Sequence, residues 1–176
     1  MPHEILSDEY LREIGRVAVE WTRVESTVES IIWAFLFVDY ADTSPWLREE
    51  DGRAITTHIN LLLRVDVMLS LASNSFKELP TCLGDFEDAA KAIRSTYPKR
   101  NKVVHGEWTP LQGQALRSVY RARGDVKPFY DFMTPGDISA IASECQALAA
   151  HLARLSQRLV PLLLELRTES WQRDRQ

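Results

Sequence analysis

Residues 97–108, YPKRNKVVHGEW, hold Arg100, Asn101, His105 and Trp108 within nine positions. An arginine is always charged, and its forked donors neutralise a phosphate and the charge that builds on it in a transition state. An imidazole exchanges protons near neutrality, so it can take one from a ribose 2′-hydroxyl or deliver one to a leaving 5′-oxygen. RNA supplies its own nucleophile in that scheme, and no metal or other cofactor is required.

Asn101 and His105 are four residues apart, on one helical face, which lets the amide hold the ring's orientation and tautomer. Arg100 precedes His105 by five, about 500° of rotation, and in an unbroken helix points about 140° away from it. Two arrangements restore their meeting. Pro98 kinks or restarts the helix, or the arginine of one subunit meets the histidine of another in a symmetric dimer. Lys99 and Lys102 are expected to contact flanking phosphates, and Tyr97 and Trp108 to stack a base or to pack around the bend. Glu25 and Glu29, beside the apolar seam of the first helix, are candidates to orient the pair or to form surface ion pairs. The spacing recurs at Arg53 and His58 in RAITTH, without the asparagine and after the acidic run EED, where it reads as helix surface.

The nine residues RNKVVHGEW resemble the signature of the HEPN superfamily of small helical domains: an arginine, usually followed by a polar residue such as asparagine, then a histidine a few positions on. The resemblance implies one HEPN-like domain over residues 1–176, a homodimer with a composite cleft, and a metal-independent endoribonuclease of toxin or defence type. Arg100 and His105 would take the family's catalytic positions, Asn101 its polar position, and Gly106 and Trp108 the HG-x-W ending of some branches. RNA is the implied substrate, and an antitoxin protein of unknown identity an implied partner. Some members are non-catalytic modules that dimerise or bind a partner or nucleotide, which is the alternative function. Where one branch carries a modifiable tyrosine two residues after the histidine, this chain has Glu107.

Composition narrows the setting. Of 176 residues, 45% are hydrophobic, enough for a core without staples. Cys82 and Cys145 form no CxxC pattern, so neither a disulfide framework nor a zinc site is expected and a reducing cytoplasm fits. The N-terminal residues carry no secretory pattern, and no uncharged apolar run has membrane-spanning length, so no membrane partner is expected. The net charge of −4 opposes bulk coating of nucleic acid. Residues 91–127, however, hold nine basic side chains and two acidic ones, leaving 12 basic and 23 acidic elsewhere. A local anion site is therefore allowed.

The elements that must position these residues read as an all-α, up-and-down bundle of four to five helices, with a short hairpin or ordered loop before the last long helix. Ser7, Asp8 and Glu9 predict a helix start, followed by a seam of Ile14, Val17, Trp21, Val24, Val28, Ile31 and Phe35. ADTSPW, residues 41–46, breaks the pattern, and residues 51–75 resume it. Pro80 and Gly84 mark a connection before a third helix over 85–97, with Phe86, Ala89, Ala90 and Ile93 inward and Pro98 ending or kinking it. Residues 108–134 alternate like a hairpin, which would set Arg117, Arg121 and Arg123 on one face. Thr134, Pro135 and Asp137 predict the next helix start. Its seam is Ile138, Ile141, Cys145, Leu148, Leu152, Leu155, Leu159, Leu162 and Leu166, with a kink at Pro161.

Overall fold

The computed structural model describes residues 6–40, 56, 58–111, 114–120 and 128–173. In chain order these form α1 (Asp8–Tyr40), α2 (Leu61–Ser75), α3 (Pro80–Val104), β1 (Glu107–Leu111), β2 (Gln114–Tyr120), β3 (Pro128–Met133) and α4 (Pro135–Arg173). The fold is an all-α helical bundle with a small antiparallel sheet, ordered β1-β2-β3, inserted before the last helix. The inserted hairpin thus gains a third strand. No helix among the described residues is long and apolar enough to cross a membrane.

The chain divides into two compact units, Met1–Thr22 with Ser95–Ala147 and Arg23–Arg94 with Leu148–Gln176. In the second unit Val24, Val28, Ile31 and Phe35 are fully buried, as their spacing predicts, together with Val65, Met68, Ala72, Ala89, Ala90 and Ile93. Phe35, Phe76 and Phe86 form an aromatic triangle with centroids 5.7–5.8 Å apart. Arg64 and Thr56 reach Glu29, the hydroxyl donating to its carboxylate at 2.6 Å.

The helix limits differ from expectation in instructive ways. Within the expected 51–75 helix, residues 51–55 and 57 lie outside the described ones, Thr56 is helical, and a break at 58–60 makes α2 begin at Leu61. There extended Asn60 accepts the Leu63 amide on its side chain at 3.0 Å and so caps the helix. His58 is exposed in the turn before it; the break at 41–46 and Arg53 lie outside the described residues. α3 begins at Pro80, whose missing N–H costs nothing in a first turn, and includes Gly84. It neither ends at Tyr97 nor stops at Pro98, but continues to Val104. α4 likewise runs through Pro161, beyond which Leu163 is buried while Leu162 and Leu166 are half-buried.

The first unit carries the motif. Val17, Trp21, Val103, Ile138, Ala142 and Cys145 are fully buried there, whereas Ile14 and Ile141 are only half-buried. Arg16 ties α1 to α4 by donating to Ser139 and Ser143 at 3.2 and 3.0 Å. Tyr10 donates to the Met133 carbonyl at 3.0 Å and joins α1 to the end of β3. At the start of α4, the Thr134 amide and hydroxyl donate to Asp137, and the Asp137 amide donates back to the Thr134 hydroxyl. This reciprocal cap is the one that TPGD predicts.

Candidate functional site

Arg100 and His105 meet within one chain: Nη1 of the guanidinium lies 3.0 Å from Nε2 of the imidazole. The geometry of an unbroken helix does not apply, because α3 stops at Val104 and His105 occupies the bend that follows. The His105 amide still donates to the Asn101 carbonyl at 3.1 Å, so the backbone turns only as it leaves the helix. A guanidinium can only donate. Nε2 must therefore accept, which requires the neutral ring carrying its proton on Nδ1. His105 is exposed, and its ring is open to a ligand.

Arg100 is held on several sides. Nη1 also donates to the side-chain oxygen of Asn101 at 2.9 Å. Its guanidinium carbon lies 5.8 Å from the centroid of Trp21, which is fully buried. Nε is buried without an acceptor among the described residues. Asn101 therefore orients the arginine through its side chain, and touches His105 through its backbone carbonyl. The expected amide-to-imidazole contact is replaced because Arg100 is the stronger donor and lies next to it in sequence.

The four other expected site residues fare differently. Lys102 is exposed in the last turn of α3, with no side-chain partner among the described residues. Lys99 is engaged by Glu144 through contacts of 2.7 and 2.9 Å. Tyr97 packs against Trp21 with centroids 6.0 Å apart. Trp108 packs against Tyr10 at 6.4 Å, and its indole nitrogen donates to the Val103 carbonyl at 3.0 Å.

Beneath the pair lies Cys145, fully buried on α4. Burial pushes its thiol up to about 11; the charges of Glu144 and Glu20 add to that and the Arg100 cation opposes it. Glu20, 7% exposed on α1, lies within electrostatic reach of Cys145, while Glu29, one of the two expected carboxylates, is taken by Arg64 and Thr56. A signal for it exists in the sequence: Glu20 stands three residues after Val17 and four before Val24, on the apolar side of the helix. Among the described residues, no three His, Cys, Asp or Glu side chains gather at metal-binding spacing.

The end of α3 is gripped by the sheet. Trp108 on β1, Arg117 on β2 and Asp131 on β3 occupy successive register positions across the three strands. Arg117 is 1% exposed, donates to the Lys102 carbonyl at 3.2 Å, and pairs with Asp131 at 3.6 Å. It is thus interior, not part of an exposed basic face; Arg121 and Arg123 lie outside the described residues. Gly106 makes room for it. A Cβ there would lie 2.6 and 2.7 Å from Cγ and Cδ of Arg117 and 2.7 Å from the Lys102 carbonyl oxygen. Comparison of the chain with family models, with curated proteins and with solved structures yields no match.

Proposed function

We propose that this chain is a HEPN-like, metal-independent endoribonuclease of toxin or defence type, working as a homodimer whose composite cleft gathers two Arg–His pairs. The observation that carries the reading is the 3.0 Å separation of Arg100 Nη1 and His105 Nε2, a permanent cation and a proton-exchanging ring at an exposed bend. Phosphate is a better acceptor for a guanidinium than neutral imidazole is, because the bond is assisted by charge on both sides. A bound phosphodiester draws the Arg100 donors to its non-bridging oxygens and frees Nε2. That nitrogen takes the 2′-hydroxyl proton while the 2′-oxygen attacks phosphorus. The bond to the 5′-oxygen breaks, and the 5′-oxygen receives a proton from an imidazolium. The products are a 2′,3′-cyclic phosphate and a 5′-hydroxyl.

The test is cleavage of single-stranded RNA by the purified chain in EDTA, with the new ends identified by mass spectrometry. Cyclic phosphate ends are expected, and a substrate with 2′-deoxyribose at the scissile position stays whole. His105→Ala lowers the rate by about 10²–10⁴-fold while the helical circular dichroism is kept. Equal cleavage by His105→Ala and the parent removes the assignment. If neither cuts RNA and both are equally harmless when overexpressed, the non-catalytic binding module is favoured.

A further inference from the structure

We infer that Arg117 is a positioning residue for His105: from the middle strand it clamps the chain on both sides of the histidine and so holds the ring in the tautomer that accepts from Arg100. The final carbonyls of a helix have no partners within it. At the end of α3 three of the last four are taken, Asn101 by the His105 amide, Lys102 by Arg117 and Val103 by Trp108. The Arg117 stem then closes over Gly106, immediately after the histidine. Residues 102–106 are thus pinned at Lys102, Val103 and Gly106, with His105 between the last two.

Filling the interior does not require an arginine here. A methionine has comparable reach and avoids desolvating a cation, and this cation is poorly compensated: Asp131 is 3.6 Å away and Nε has no acceptor among the described residues. What arginine adds is a charged donor at the helix C-terminus, where the peptide dipoles favour a cation. Its link to the reaction runs through the ring of His105, which must enter the bend at one angle for Nε2 to lie 3.0 Å from Arg100. The consequence for cleavage rests on the endoribonuclease reading; the clamp itself does not.

The experiment observes the ring nitrogens of His105 by two-bond ¹H–¹⁵N correlation in the full chain. It is run at about pH 8.5, above the ordinary imidazole range, and the signal is assigned by its loss in His105→Gln. In the parent, Nδ1 is expected to be protonated and Nε2 bare. Arg117→Met is expected to keep its helical circular dichroism, shift His105 towards the Nε2–H form of a free imidazole, and lower kcat by about 10²-fold with little change in KM. Arg117→Lys, which restores one charged donor, recovers part of both. Should Arg117→Met lose its helical signal, Arg117→Lys and Trp108→Phe carry the test, each expected to show an intermediate shift.

A purely structural arginine would lower the melting temperature without moving the tautomer. The inference is therefore overturned by a parent already protonated on Nε2, or by folded Arg117 and Trp108 variants with the parent's nitrogen signals. A parent with the expected tautomer that leaves RNA intact removes the endoribonuclease reading alone.

Discussion

Arg100 and His105 come together because one of them leaves the helix. Five residues along α3 would turn the imidazole away from the guanidinium, but α3 ends at Val104 and the next residue is free to fold its ring back. Arg100 cannot follow, held as it is by Asn101 and by the face of Trp21. Cys145 offers a separate check on how closed this region is. Its thiol is buried and pushed up to about 11, so at neutral pH it is protonated and shielded. Iodoacetamide is expected to label half-buried Cys82 first and to reach Cys145 only on unfolding, as read by peptide mass spectrometry. The pH dependence follows from the same shift. An unfolded thiol ionises near 9 and the folded one near 11, so the folded state loses stability as pH rises through that window. Cys145→Ala should flatten the fall in melting temperature between pH 9 and 11.

Two element ends carry most of the positioning, and each makes a prediction. At the start of α4 the hydrogen bonds from Thr134 hold the Asp137 carboxyl below its ordinary value. A lowered carboxyl stabilises the fold above its unfolded value of 3.8 and ceases to as pH falls through the lower folded one. Asp137→Asn is therefore expected to lower the melting temperature at neutral pH and to match the parent in strong acid. At the end of α3 the controlling residue is Gly106, where a methyl group would strike the inner stem of Arg117 and the Lys102 carbonyl, neither of which has a flexible end to move aside. Gly106→Ala should cost about 1–3 kcal/mol in denaturant titration, as overpacking does. The glycine of HGEW is thus explained by Arg117 on β2, the second strand after it along the chain.

For the whole molecule the proposed homodimer sets the expectation. Light scattering coupled to size exclusion should return twice 20.2 kDa, and a monomer that cleaves RNA would dispense with the composite cleft. RNA would be an unusual partner for a chain of net charge −4, and under the proposed function its affinity would rest on a few local contacts rather than on a general field. Lys102 is exposed without a side-chain partner, while Lys99 is shared with Glu144. Lys102→Ala should lower the slope of log affinity against log salt by about one unit.

Much of this architecture could be read from local spacing. Val17, Trp21, Val24 and Val28 recur at helical intervals, and Ser7 and Thr134 stand where helices begin, because burial of a helix face and capping involve residues three or four apart. The same locality exposed Arg100, Asn101 and His105 as a group. It could not say where α3 stops, since Pro98 signals an end that packing of the neighbouring turns overrides. Nor could it show that Gly106 and Trp108 serve Arg117 and the helix carbonyls, or that Glu20 comes within electrostatic reach of Cys145. Those contacts depend on strand register and on which helix lies alongside, quantities set by partners far away in sequence, as with Tyr10 and Met133, 123 residues apart. A residue's type limits the bonds it can make; the packed chain selects the atoms it makes them with.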